Sequence, residues 1–139
     1  METYLFYTSN NDDLKKSSSG GAFSCIAKYI LSIGGIVYGA AIDQNTGLPF
    51  HMRVDNVLSL PRLFGSKYCS SELGGCFSLI KKDLLDDKYV LFVGSPCQVN
   101  SLYNYVKKEL LRVKLTKDIS HFNNIKKDIL VSKLIGNCK

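Results

Sequence analysis

The segment Val93-Gly94-Ser95-Pro96-Cys97-Gln98 places a thiol where a chain can use one. Ser95 fits the cap of a helix and Pro96 its first position, and Gln98, three residues after Ser95, completes a capping box. Cys97 is thereby expected in the first helical turn, where the positive end of the macrodipole favours anions, a thiolate included. Lys88 to Val93 (KYVLFV) reads as a strand running straight into this turn. Open α/β sheets bind their ligands at the carboxyl ends of strands. Cys97 is the candidate catalytic residue. The same sequence would also serve as a well-capped helix carrying an incidental cysteine.

Two further segments have the chemistry of an anion site. Ser17-Ser18-Ser19-Gly20-Gly21 offers three hydroxyls and two glycines at a helix start, where free backbone N–H groups can meet a phosphate or diphosphate. It lacks the Gly-Lys-Ser/Thr ending of the Walker loop and is not Gly-x-Gly-x-x-Gly. Gly65-Ser66-Lys67-Tyr68 brings a lysine flanked by glycine, serine and tyrosine, suited to a phosphate or an electron-rich ring edge. Metal chemistry is not expected. His51 and His121 stand without Cys, Asp or Glu at ligand spacing and read as surface or tail residues. The five cysteines (Cys25, Cys69, Cys76, Cys97, Cys138) include no Cys-x-x-Cys pair, which excludes zinc-ribbon and ferredoxin-type motifs. They read as reduced thiols, with Cys25 and Cys76 expected to be buried as small hydrophobes.

The elements that must position these residues follow from the pattern of apolar side chains. Phe23, Ile26, Ala27, Ile30 and Leu31 recur at helical spacing, so a helix is expected over Ala22 to Ile33, stopped by Gly34-Gly35. Ile36 to Ile42 (IVYGAAI) is short and almost wholly apolar, as a strand buried on both faces would be. Phe50 to Val54 suggests a returning strand, and Val57 to Leu63 a helical turn interrupted by Pro61. Ser70-Ser71-Glu72 offers caps for a helix through about Leu85, and a helix after Pro96 is expected through about Lys108. Thr3 to Thr8 reads as a first or edge strand and Ser9 to Lys16 as a loop. Strand, glycine turn and helix recur, which predicts an α/β fold with a mostly parallel or mixed sheet flanked by helices, in a single domain.

At 139 residues, 45% hydrophobic and 22% charged, the chain has the composition of one globular domain. No run of eighteen apolar residues is present, so no membrane span is expected. Met1 to Asn10 lacks the basic start of a secretory signal, which makes the cytoplasm the expected compartment. The formal charge of +6 is unevenly placed: residues 1–106 are neutral, with nine basic and nine acidic residues, and the whole excess lies in 107–139. No aromatic stacking pattern accompanies that basic segment, so a nucleic-acid partner is not expected. The organisation that follows is an α/β module over residues 1–109. After it comes a basic segment over 110–139, in which LLRVKL (110–115) is strand-like and a helix or poorly packed tail completes the chain.

The succession SSSGGAF, a helix, GGIVYGAAID, GSKYCSS and VLFVGSPCQV, in this order and at these distances, resembles the coenzyme F-420 hydrogenase/dehydrogenase beta-subunit family. These are iron–sulfur flavoproteins that also include chlorophyll-related reductases. The resemblance covers about residues 15–107. It implies a flavin-binding oxidoreductase module that uses FAD to relay electrons between iron–sulfur clusters and a hydride acceptor. Carried over by motif, Ser17, Ser18, Ser19, Gly20 and Gly21 lie near the dinucleotide, Ser66 and Lys67 line the flavin pocket, and Ser95, Pro96, Cys97 and Gln98 form its other wall. The family's ferredoxin-like cysteines and its later Cys-His-Gly motif do not occur here. No iron–sulfur cluster is therefore expected on this chain; an iron–sulfur or hydrogenase/dehydrogenase partner subunit would carry it. The chain is accordingly expected to be the central flavin-domain fragment of a larger enzyme. Two alternatives stay open: a remnant or interaction module that keeps the fold without cofactor, and a thiol enzyme using Cys97.

Overall fold

The computed structural model describes residues 5, 7–18 and 20–116, with side chains described up to residue 108. The order of elements is α1 (Asn11–Lys16), α2 (Ala22–Ser32), β1 (Ile36–Ile42), β2 (Pro49–Val54), a 3-10 turn (Leu60–Leu63), α3 (Cys76–Leu85), β3 (Val90–Phe92) and α4 (Pro96–Thr116). The sheet is mixed, in the order β2-β1-β3. β2 returns antiparallel along β1, with Ala40 opposite His51, and β3 lies parallel on the other side, with Tyr38 opposite Phe92.

The expected α/β class and single domain are present, and β1 has the two buried faces its sequence requires. Successive side chains of a strand point to opposite faces. Ile36 and Tyr38 join Phe92 under Cys76, Ile80 and Leu84 of α3 and Leu102 and Val106 of α4. Val37 and Ala41 join Val54 and Leu91 beneath Ala27 of α2 and Leu60 and Leu63 of the 3-10 turn. Tyr38 carries a hydroxyl into the first core and donates it to Asp83 Oδ2 at 2.5 Å. Arg53 grips the same carboxylate with two bonds, Nε to Oδ2 at 2.9 Å and Nη2 to Oδ1 at 3.0 Å. Burial would raise the pKa of Asp83; the Arg53 guanidinium and Tyr38 hydroxyl outweigh it and hold the carboxyl below its ordinary range.

Several expectations are corrected. The stretch read as a loop at Ser9 to Lys16 contains α1, because Asn10 Oδ1 accepts the N–H groups of Asp12 and Asp13. Acidic residues fill its first turn and basic ones its last, matching the helix dipole. Asp13 also pairs with Lys28 of α2 at 2.5 Å. Of the strand expected at Thr3 to Thr8, Leu5, Tyr7 and Thr8 are described and are not in a strand. Ser70-Ser71-Glu72 does not cap α3, which begins after Gly74-Gly75; Glu72 instead forms a parallel bridge with Phe50 at the outer edge of β2. The strand-like run 110–115 is helical, since α4 continues to Thr116 with no Gly or Pro between Pro96 and Thr116 to stop it. Cys25 is exposed, while Cys76 is buried as expected. The rest of the basic segment, His121 and Cys138 included, lies outside the described residues.

Candidate functional site

Topology gathers the singled-out segments at one edge of the sheet. α2 leads through Gly34-Gly35 directly into β1, so the start of α2 lies toward the carboxyl end of that strand. β3 runs parallel to β1 and feeds α4, whose start therefore lies at the same edge. Antiparallel β2 begins there. Phe23 of α2, Phe64 after the 3-10 turn and Val93 after β3 all pack against one apolar cluster beneath this edge. The rings of Phe23 and Phe64 meet edge to face at 6.1 Å.

The serine-glycine segment folds as a tight left-handed entry to α2. Gly20 and Gly21 have φ of 59° and 77°. Ser17 Oγ accepts the Gly21 N–H at 2.9 Å, and the Gly20 carbonyl accepts the Thr8 N–H at 2.7 Å. A Cβ on Gly21 would stand 2.5 Å from Thr8 Cγ2. These glycines therefore serve the chain's own packing, and the Gly21 N–H is already committed. What the segment leaves for a ligand is the first turn of α2, which has no side-chain cap, and the exposed Ser18 hydroxyl. Ser18 Oγ accepts from Ser66 Oγ at 2.9 Å, which brings the second expected segment onto the first. Lys67 follows, its ammonium donating to the carbonyls of Phe64 at 2.6 Å and Gly65 at 3.1 Å. Burial pushes its pKa down. Uncapped helical N–H groups and two hydroxyls lie together here, and the residue after Ser66 carries an ammonium held by carbonyls of its own turn, a set of groups suited to an anion. Ser19 lies outside the described residues.

The third segment caps α4 in part as its sequence requires. Pro96 is the first residue of α4, and Gln98 Oε1 accepts the Ser95 N–H at 2.9 Å. Gly94 makes room for this: a Cβ there would stand 2.8 Å from Gln98 Oε1 and 2.9 Å from the Phe92 ring. Ser95 Oγ sits 3.0 Å from Cys97 Sγ, and both Pro96 and Cys97 are exposed. Ser95, Pro96, Cys97 and Gln98 thus line the carboxyl edge beyond β3.

Two residues of this edge escape a reading of local sequence. His51, expected at the surface, is buried on β2 at 8% exposure and stacks on Phe92 with ring centroids 4.9 Å apart. Its Nε2 lies 3.0 Å from the Val93 carbonyl and its Nδ1 2.9 Å from Ser71 Oγ. A carbonyl only accepts, so Nε2 carries the proton and Nδ1 accepts from Ser71. Burial lowers the pKa of the ring, against a smaller opposing effect of the Val93 bond, and keeps it neutral. Gln98 Nε2 donates to both the carbonyl and the hydroxyl of Ser71, each at 3.1 Å. The available signal was the alternation in β2, which sets His51 and Arg53 on one face and Phe50, Met52 and Val54 on the other.

Among the described residues no group of three or more His, Cys, Asp or Glu side chains can hold a metal ion, and no helix is long and apolar enough to cross a membrane. The chain matches no family model, no curated protein and no solved structure.

Proposed function

We propose that the chain is a flavin-binding oxidoreductase module of the kind represented by the beta subunits of coenzyme F-420 hydrogenase/dehydrogenase. The observation that carries this reading is the 2.9 Å bond from Ser66 to Ser18, which joins two segments 48 residues apart beside the uncapped start of α2. FAD has a diphosphate that suits such a cradle, and its isoalloxazine ring supplies the exchange between two-electron hydride transfer and one-electron steps. Ser18 and Ser66 donate to the diphosphate oxygens, and the Lys67 ammonium offsets their charge. Ser95 to Gln98 form the opposite wall, with Cys97 toward the ligand. Iron–sulfur clusters belong to a partner subunit on this reading, because the sequence holds no Cys-x-x-Cys motif and no group of three or more His, Cys, Asp or Glu that could hold a metal occurs among the described residues.

The test is the Ser18→Ala, Ser66→Ala double variant. Both side chains are exposed, so the fold tolerates their loss. FAD affinity measured by calorimetry is expected to fall at least about tenfold, the effect of roughly 1.4 kcal/mol. An unchanged affinity removes the cradle from the account.

A further inference from the structure

We propose that Ser71 and His51 form a nucleophile–base pair capable of acyl transfer from small esters, an activity separate from flavin binding. A serine becomes a nucleophile when a base lies within hydrogen-bond reach and a third group fixes that base. All three parts are present. Ser71 Oγ is 2.9 Å from His51 Nδ1, within the range of a proton-transfer pair. The Val93 carbonyl holds the opposite ring nitrogen at 3.0 Å, and Phe92 stacks on the ring face within 17° of parallel. The imidazole can therefore neither turn nor change tautomer without breaking a bond. Ser71 itself is only partly buried, whereas the base behind it is buried. Gln98 adds a fourth constraint by donating to the Ser71 hydroxyl and carbonyl, and its own amide is held by the Ser95 N–H.

The step balances without a co-reactant other than water. Ser71 Oγ bonds to the ester carbonyl carbon while its proton passes to His51 Nδ1, and the carbonyl oxygen becomes an oxyanion. The N–H groups that open α4, those of Cys97 and Gln98, have no intrahelical acceptor and provide donors for it at this edge. Collapse breaks the bond to the leaving alcohol, which takes the proton from Nδ1. Water then loses a proton to Nδ1 and attacks the acyl-serine, releasing the acid and restoring Ser71. The orienting group is a carbonyl dipole rather than a carboxylate, so the imidazolium is stabilised less than in a Ser-His-Asp triad and turnover is slow.

The experiment treats the full chain, without FAD, with a fluorophosphonate probe and maps the adduct by peptide mass spectrometry, alongside hydrolysis of p-nitrophenyl acetate. The expected result is an adduct on Ser71 in preference to the exposed Ser32 and Ser70. Labelling and hydrolysis should both fall at least about a hundredfold in His51→Gln and stay unchanged in Ser32→Ala. An adduct spread evenly over exposed serines in the wild-type chain overturns the proposal, whatever the variant's fold. So does Ser71 labelling that survives the loss of His51. Flavin affinity is not read in either arm, so this result stands apart from that reading.

Discussion

His51 shows how one residue can join stability, geometry and chemistry. Its ring is enclosed between β2, Phe92 and Ser71, and both nitrogens are engaged. Burial disfavours the charged imidazolium, so the folded-state pKa lies below the ordinary value of 6.5. In the unfolded chain the ring takes up its proton near about 6.5. The sign follows: the contribution of His51 is fully present above that pH and declines as pH falls below it, because the unfolded state then binds the extra proton. Protonation also removes the Nδ1 lone pair that accepts from Ser71. We expect the thermal midpoint of the wild-type chain to fall between pH 7.5 and 5.5 more steeply than that of His51→Gln. Parallel melting curves for the two across that range would contradict the assignment.

At the scale of elements, the start of α2 carries two duties that substitution must keep apart. Gly21 has φ of 77° and no space for a Cβ beside Thr8. Gly21→Ala is expected to cost about 2 kcal/mol through left-handed strain and that contact, read as a lower urea midpoint in the absence of ligand. An unaltered midpoint would show that this entry to α2 relaxes freely. Lost FAD binding in a glycine variant would therefore report the helix start as much as the proposed phosphate site, whereas the exposed Ser18 and Ser66 leave that backbone entry in place. Legibility divides along the same line. β1 was readable from seven nearly continuous apolar residues, and the start of α4 from Ser95, Pro96 and Gln98, because such signals are local. α1 was missed because six residues with no buried side chain leave no apolar stripe, and only the Asn10 cap marks them. The His51 network was legible only in the alternation of β2, which sets the face of His51 but not its partners. Its bonds span 20 residues to Ser71 and 42 to Val93, and only the antiparallel return of β2 brings them together.

On the scale of the whole molecule, three segments separated in sequence converge where β1 and β3 end and β2 begins. That convergence comes from one parallel pair, one antiparallel pair and the placement of α2 and α4 on opposite faces of a three-stranded sheet. The consequence is an edge with one anion-suited side, at Ser18, Ser66 and Lys67, and one thiol-bearing side, at Ser95 and Cys97. On the proposed flavin reading, a dinucleotide engages this edge through its phosphates first and its ring second, so phosphate content should govern affinity. The direct measurement is a pair of calorimetric titrations of the full chain, one with FAD and one with riboflavin, which has the same ring and no phosphate. We predict saturable one-to-one binding of FAD, at least about tenfold tighter than riboflavin, with the preference lost in Ser18→Ala, Ser66→Ala. Equal affinity for the two flavins, or no saturable binding of either by the folded chain, would contradict the account.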